Sequence, residues 1–203
     1  MCNGLSKFGK NKYDILFYMA IIDLNSLKAG FESGDQPRSN NYIDLIDTLA
    51  ALPVASYGSF YDTSTLNMSN ASATYAIPLN TTAEASGVSI VSGSRITVAN
   101  SGVYNLQFSC QLDKTDNGKD LVNIWLSKNG TNVENSNTQI IVEGSDGKHV
   151  AAWNFVLTLA ANDYVQIMIQ SPDTHMRLVA SGVQTNPSRP AVPSSIVTLV
   201  QVR

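Results

Sequence analysis

Three stretches of this chain hold the residue types that could do chemistry. The run DKTDNGKD at 113–120 brings together Asp113, Asp116 and Asp120 beside Asn117-Gly118. A calcium loop of the EF-hand kind needs acids on alternate positions and a distal glutamate, and this spacing does not match it. A solvated turn is the expectation there. Glu143, Asp146, Gly147 and His149 form a second polar turn with the same reading. Ser171, Asp173 and His175 hold the residue types of a hydrolytic triad, but adjacency in sequence does not orient a nucleophile toward a base. Arg177 and Arg189 are isolated cations that could be salt-bridged. The cysteines are Cys2 and Cys110, too few for a disulfide framework and without ligand spacing for a metal cluster. Cys110 reads as a buried free thiol. Asn67, Asn70, Asn80 and Asn129 fit the glycosylation acceptor pattern, which has meaning only on a secretory route. No loop offers a convincing pair of carboxylates for glycan cleavage. The reading is therefore not an enzyme, with no catalytic residue, cofactor or metal.

The elements that would carry such residues are β-strands. In GVYNLQFSCQL, at 102–112, Tyr104, Leu106, Phe108, Cys110 and Leu112 occupy every second position, with Asn105, Gln107, Ser109 and Gln111 among the residues between. Strand side chains alternate between faces, so this strand has one dry face and one mostly polar face. The same alternation recurs at 121–128, where Val122, Ile124 and Leu126 oppose Leu121, Asn123, Trp125 and Ser127. At 164–170, Val165, Ile167 and Ile169 oppose Tyr164, Gln166 and Met168. At 150–159, Trp153, Phe155, Leu157 and Leu159 share a face. Further β-rich runs lie at 57–61, 74–79, 88–91, 95–98, 177–180 and 196–202. Pro78 suggests an edge. Ser92-Gly93-Ser94 and Asn129-Gly130 read as hairpin turns, and 62–72, 113–120 and 182–193 as polar loops.

Ten strands in 203 residues must close or form two packed layers. The predicted fold class is mostly β: a jelly-roll β-sandwich of about ten antiparallel strands with a short N-terminal α-helical hairpin. An up-and-down barrel is the second choice, because several connections exceed hairpin length. Trp125, Tyr164 and Met168 lie opposite the Val/Ile rows of their own strands. Large apolar residues on a second face usually need a partner, so these three are candidates for a trimer interface.

The chain ahead of the head is of another kind. Lys7, Lys10 and Lys12 precede the apolar run at 15–22. This is similar to the basic and apolar regions of a signal peptide, but Asp23 ends it and no cleavage site follows. It falls far short of the ~20 apolar residues of a membrane span. Alternatives are that Met19 is the natural start, or that 15–22 packs on a partner subunit. From 23 to 52 the pattern predicts two helices. Asp23 can cap the first, which carries Leu24, Leu27, Lys28 and Phe31 and ends by Gly34 and Pro37. Asn40 or Asn41 can cap the second, with Tyr42, Leu45, Ile46, Leu49 and Leu52 on one stripe. Helices this short are not stable alone, so the stripe must be covered, as an anchor or an oligomerisation seam. The predicted domains are an extension at 1–22, a helical anchor at 23–52 and a head at 53–203. The net charge of −3 gives no electrostatic footprint for nucleic acid.

The order of these strands resembles the tumour-necrosis-factor-like jelly roll, especially the globular head of complement's first component. The carriers are ITVANSGVYNLQF at 96–108, IWLSKNGTNV at 124–133, FVLTLAANDYVQIMI at 155–169 and the closing strand at 196–202. The resemblance covers most of 54–203. More closely, this head, from GVSIVSGSRITVANSGVYNLQFSCQLDKT through SNTQIIVEG to SSIVTLVQV, looks like proteins of tailed phages of marine bacteria, the cyanophage type. The hairpin IDLNSLKAGFESGDQPRSNNYIDLIDTL looks like an element near the start of phage fibre proteins. The resemblance implies a virion structural protein: a fibre, knob or other capsid or tail appendage, trimeric through its jelly roll. Its partners would be two further copies and other virion proteins through the N-terminal segment. The alternative is a receptor- or glycan-binding head for host attachment, using the polar loops. No collagen-like repeat and no long shaft precede the head, which favours a compact appendage or adaptor.

Overall fold

The computed structural model describes residues 23–34, 36–50 and 54–203. The apolar run at 15–22, Cys2 and Leu52 lie outside the described residues. The chain divides into two compact units, Met1–Val54 and Ala55–Arg203. No helix among the described residues is long and apolar enough to cross a membrane.

In the first unit, α1 spans Leu24–Ala29 and α2 spans Ser39–Ala50. Asp23 caps α1 as expected: its Oδ1 accepts from Asn25 N–H at 3.0 Å and from Ser26 N–H at 3.2 Å. The helix stops earlier than its apolar spacing predicts. Phe31 lies beyond the end and packs edge-on against Tyr42, with ring centroids 5.6 Å apart. Neither Asn40 nor Asn41 caps α2, which begins one residue earlier, at Ser39. Asn41 Oδ1 instead accepts from Arg38 N–H at 2.8 Å. Within the stripe, Leu45 is half-buried, while Tyr42, Ile46 and Leu49 are exposed.

The second unit is a two-layer β-structure. Its strands are β1 (Tyr57–Asp62), β2 (Leu66–Asn67), β3 (Tyr75–Ala76), β4 (Thr81–Ser86), β5 (Val88–Val91), β6 (Arg95–Val98), β7 (Gly102–Lys114) and β8 (Lys119–Lys128). They continue as β9 (Thr131–Asn132), β10 (Thr138–Glu143), β11 (Lys148–Leu159), β12 (Tyr164–Gln170), β13 (Met176–Leu178), β14 (Gln184–Thr185), β15 (Ser188–Arg189) and β16 (Ser195–Gln201). In the first sheet β7 is central: β11 pairs along one side, β16 and then β13 along the other, and β1 and β4 continue beyond β16. The second sheet runs β10-β8-β12-β6-β5, with β3 on β12 and β9 on β8. All of these pairs are antiparallel. Neighbours are largely non-consecutive and the chain passes between the two sheets after β2, β3, β4, β6, β7, β10, β11 and β12. That is jelly-roll connectivity, not an up-and-down barrel.

The core lies between the sheets. Tyr104, Leu106, Phe108, Cys110 and Leu112 of β7 face Val122, Ile124 and Leu126 of β8 and Val165, Ile167 and Ile169 of β12, all buried. Each such aliphatic side chain contributes roughly 1.5–3 kcal/mol through removal from water. The Tyr104 hydroxyl is satisfied, donating to the Asn100 carbonyl at 2.7 Å. Asn129 and Gly130 have φ of 51° and 82°, and Ser92 and Gly93 have 51° and 71°, so both predicted hairpins turn through the left-handed region.

Two polar stretches depart from expectation. The run at 62–72 is not simply a solvated loop: Asp62 and Met68 within it are fully buried. The run at 113–120 is even less of one, because β7 extends to Lys114 and β8 begins at Lys119.

Candidate functional site

Three places on the head combine polar chemistry with a defined geometry. The first is the charged end of β7. Asp113 and Lys114 are adjacent, so their side chains leave opposite faces of the strand, and both are buried. Asp113 is held by Lys148 and by Arg177 Nε at 2.5 Å. Burial raises its pKa, but these two cations outweigh burial and hold it below the ordinary carboxylate range. Lys114 Nζ lies 2.5 Å from Asp120 Oδ2 and 3.2 Å from Asp116 Oδ1. Both contacts are ion pairs, without the alignment of a hydrogen bond. Burial lowers the Lys114 pKa, yet its acids more than reverse this and hold it above the ordinary lysine value. The predicted solvated turn thus shrinks to 115–118: Asp113 is paired from distant strands by Lys148 and Arg177, and Lys114 is paired across the turn by Asp116 and Asp120.

His175 closes this end, with Nδ1 at 3.2 Å from Asp173 Oδ1 and 3.7 Å from Asp116 Oδ2. Asp116, Asp173 and His175 are close enough to share an ion, but the Lys114 ammonium already supplies the positive charge beside Asp116. Ser171 Oγ donates to the Leu121 carbonyl at 2.8 Å and accepts from Asp173 N–H at 3.1 Å. Its proton is committed to the backbone, so Ser171, Asp173 and His175 do not form a triad. At the second polar turn, Glu143 pairs with Lys119 at 2.9 Å across exposed surface. Arg189 is exposed on the β14–β15 hairpin. Cys110 is buried and free, and burial pushes its thiol far above the ordinary range, so it is chemically inert.

The second place is the outward face of the first sheet. Register across β11, β7, β16 and β1 stacks three rows. They are Val156, Asn105, Val200 and Tyr57; then Asn154, Gln107, Thr198 and Ser59; then Ala152, Ser109, Ile196 and Tyr61. None of these side chains is charged at neutral pH. Val156, Val200, Tyr57 and Ile196 are exposed. Asn105 Oδ1, near the middle, is shielded from water and has no donor among the described residues. Such an orphaned acceptor is unusual in a finished surface.

The third place is a groove on the outward face of the second sheet, lined by Asn123, Trp125, Asn132, Val133, Asn135, Asn137 and Gln170. It holds one of the residues read from sequence as an interface. Trp125 is half-buried and its Nε1 donates to Asn132 Oδ1 at 2.8 Å. Met168 stands opposite Trp125 in the β8–β12 register. Tyr164 sits at the far end of β12, its ring 4.7 Å from the Arg95 guanidinium carbon. The three share one sheet face, as their alternation requires. The groove's other walls escaped the sequence reading, since they come from the 132–137 turn and from Gln170.

No protein-family model matches the chain, and no curated protein matches its sequence. Among solved structures, the globular domain of the zebrafish complement 1qA protein is similar. It is 15% identical with a TM-score of 0.46, over 74% of this chain and 98% of that one. Murine APRIL, in structures at pH 8.5 and pH 5.0, is 12% identical with a TM-score of 0.45, over 73% of this chain and 100% of that one. The jelly-roll assignment stands on the strand pairing of this chain itself.

Proposed function

We propose that this protein is a non-enzymatic virion structural protein of a tailed phage, a trimeric fibre, knob or other appendage. In this reading the helical segment at 23–52 joins it to other virion proteins, and the jelly roll projects outward. The observation that carries the assembly is the uncharged patch that β11, β7, β16 and β1 form on the outward face of the first sheet, between Glu84 of β4 and the Asp113 ion pairs. Four neighbouring strands present valine, isoleucine and tyrosine among short polar side chains, and Asn105 Oδ1 awaits a donor. A subunit packed there would cover the apolar residues and could supply that donor. We set the interface there and not at Trp125, Tyr164 and Met168, which are all half-buried, with Trp125 and Tyr164 already partnered within their own chain. The exposed stripe of Tyr42, Ile46 and Leu49 supports the anchor.

The virion assignment rests on the sequence resemblance together with this build, a short amphipathic helical unit followed at once by a β head. Mass spectrometry of gradient-purified particles tests it. The chain should be present in a fixed ratio to the major capsid protein. Its absence from particles, with presence in the lysate, would overturn the assignment.

A further inference from the structure

We propose that the groove beside Trp125 binds a neutral saccharide. Its floor is the outward face of β8 and β12, and its wall is the turn after β9. That wall is built in. Val133 N–H donates to the Leu126 carbonyl at 2.9 Å. The buried Ser136 hydroxyl accepts from Leu126 N–H at 3.0 Å and donates to the Val133 carbonyl at 2.7 Å. Asn135 takes the left-handed conformation between them, with φ of 59°, which asparagine tolerates better than most residues.

The lining has a particular chemistry. It consists of Trp125, Val133 and five amide side chains, with no charged residue. Each amide offers both donors and acceptors, which suits the adjacent hydroxyls of a sugar ring. An indole offers a broad apolar surface to the C–H face of the same ring. Three of the amides, Asn123, Asn132 and Gln170, and the indole are held before any ligand arrives. Gln139 Nε2 donates to Asn123 Oδ1 at 3.0 Å, Asn123 Nδ2 donates to Gln170 Oε1 at 3.0 Å, and Gln170 Nε2 donates to the Ala71 carbonyl at 2.8 Å. The bond to Asn132 uses the indole N–H and fixes the ring. Side chains ordered in advance lose less entropy on binding. The cavity of about 310 Å³ sits at the small end of the ~300–1,000 Å³ range of ligand sites, which suits a short saccharide. With no cation in the lining, nothing would compensate the desolvation of a carboxylate, sulfate or phosphate. Neutral sugars are therefore preferred over acidic ones. This site is distinct from the assembly face and stands or falls independently of it.

The test is titration of the full chain with cellotetraose, maltotetraose, lacto-N-tetraose and a high-mannose glycan, with sialyllactose and a sulfated disaccharide as acidic probes. Binding is read by amide NMR shifts at Asn123, Asn132 and Gln170 and by tryptophan fluorescence. At least one neutral probe should shift these residues. Trp125→Ala should weaken that binding at least ~10-fold, while Trp125→Phe retains most of it. Asn137→Asp, an exposed change that leaves the core alone, should also weaken it and decides the matter if Trp125→Ala fails to fold. The proposal is overturned if no neutral probe binds at ~10 mM, if an acidic probe binds better, or if both the Ala and Asp variants bind normally. Shifts confined to other surfaces would also overturn it. Sedimentation of the same variants should show an unchanged oligomer, which separates failure of the groove from failure of the assembly.

Discussion

Lys114 and Lys119 flank the same turn and make opposite kinds of ion pair. The Lys114 ammonium is sealed from water between Asp116 and Asp120, whereas the Lys119–Glu143 pair lies in solvent. Removing one partner of a buried pair strands the other charge, while an exposed pair adds little. Lys114→Ala should therefore lower the urea midpoint strongly, and Lys119→Ala should leave it nearly unchanged. Equal effects would contradict the burial described. Asp163 allows a sharper measurement. Hydrogen bonds from Lys128, Asn129 and the Ala160 N–H lower its pKa to about 2 from the ordinary 3.8. A carboxylate whose folded pKa is depressed stabilises the fold above its unfolded value, and that contribution is lost as pH falls toward the folded one. The urea midpoint should fall between about pH 4 and pH 2, with Asp113 acting in the same direction. Asp163→Asn should flatten the fall. A profile identical to the parent's would show that these bonds do not bias the folded state.

The hairpins hold the strands in register, and their glycines are where an element can be tested. Gly130 has φ of 82°, and an added Cβ would meet only the Tyr164 hydroxyl, at 3.4 Å. Gly130→Ala should thus cost about 1 kcal/mol of chemical stability, mainly through backbone conformation. No change in midpoint would argue against the turn. The long strands were legible because β7, β8 and β12 alternate cleanly between a buried and an open face. Two six-residue strands are not, and neither are the two-residue strands β2, β9, β14 and β15. β4, TTAEAS, is an edge strand whose residues are nearly all exposed, so it shows no two-residue period. β10, TQIIVE, puts Ile141 in solvent beside the partly buried Ile140, which blurs its alternation. The charged end of β7 reads as a turn in the sequence for another reason. Asp113 is paired by Lys148 and Arg177, which lie 35 and 64 residues away, and no local pattern carries such information.

At the scale of the molecule, the chain is a helical unit joined to a jelly-roll head, and its open surfaces differ in kind. One end of the head is a paired charge network, one sheet face carries an uncharged and partly apolar patch, and the other holds an amide-lined groove. The uncharged face was partly legible: the alternation of β7 shows its polar side, Asn105 to Gln111, but not that Val156, Val200 and Tyr57 lie in line with it. Only strand pairing supplies that row. Lysine at Val156 and Val200 together would place charge in a buried contact, so this variant should be monomeric with an unchanged thermal midpoint for the head. Sedimentation velocity of the parent and of this variant at micromolar concentration decides whether this patch assembles the head. The parent should sediment as a trimer and the variant as a monomer. A parent that sediments as a monomer, or a variant that stays trimeric, would contradict this assembly.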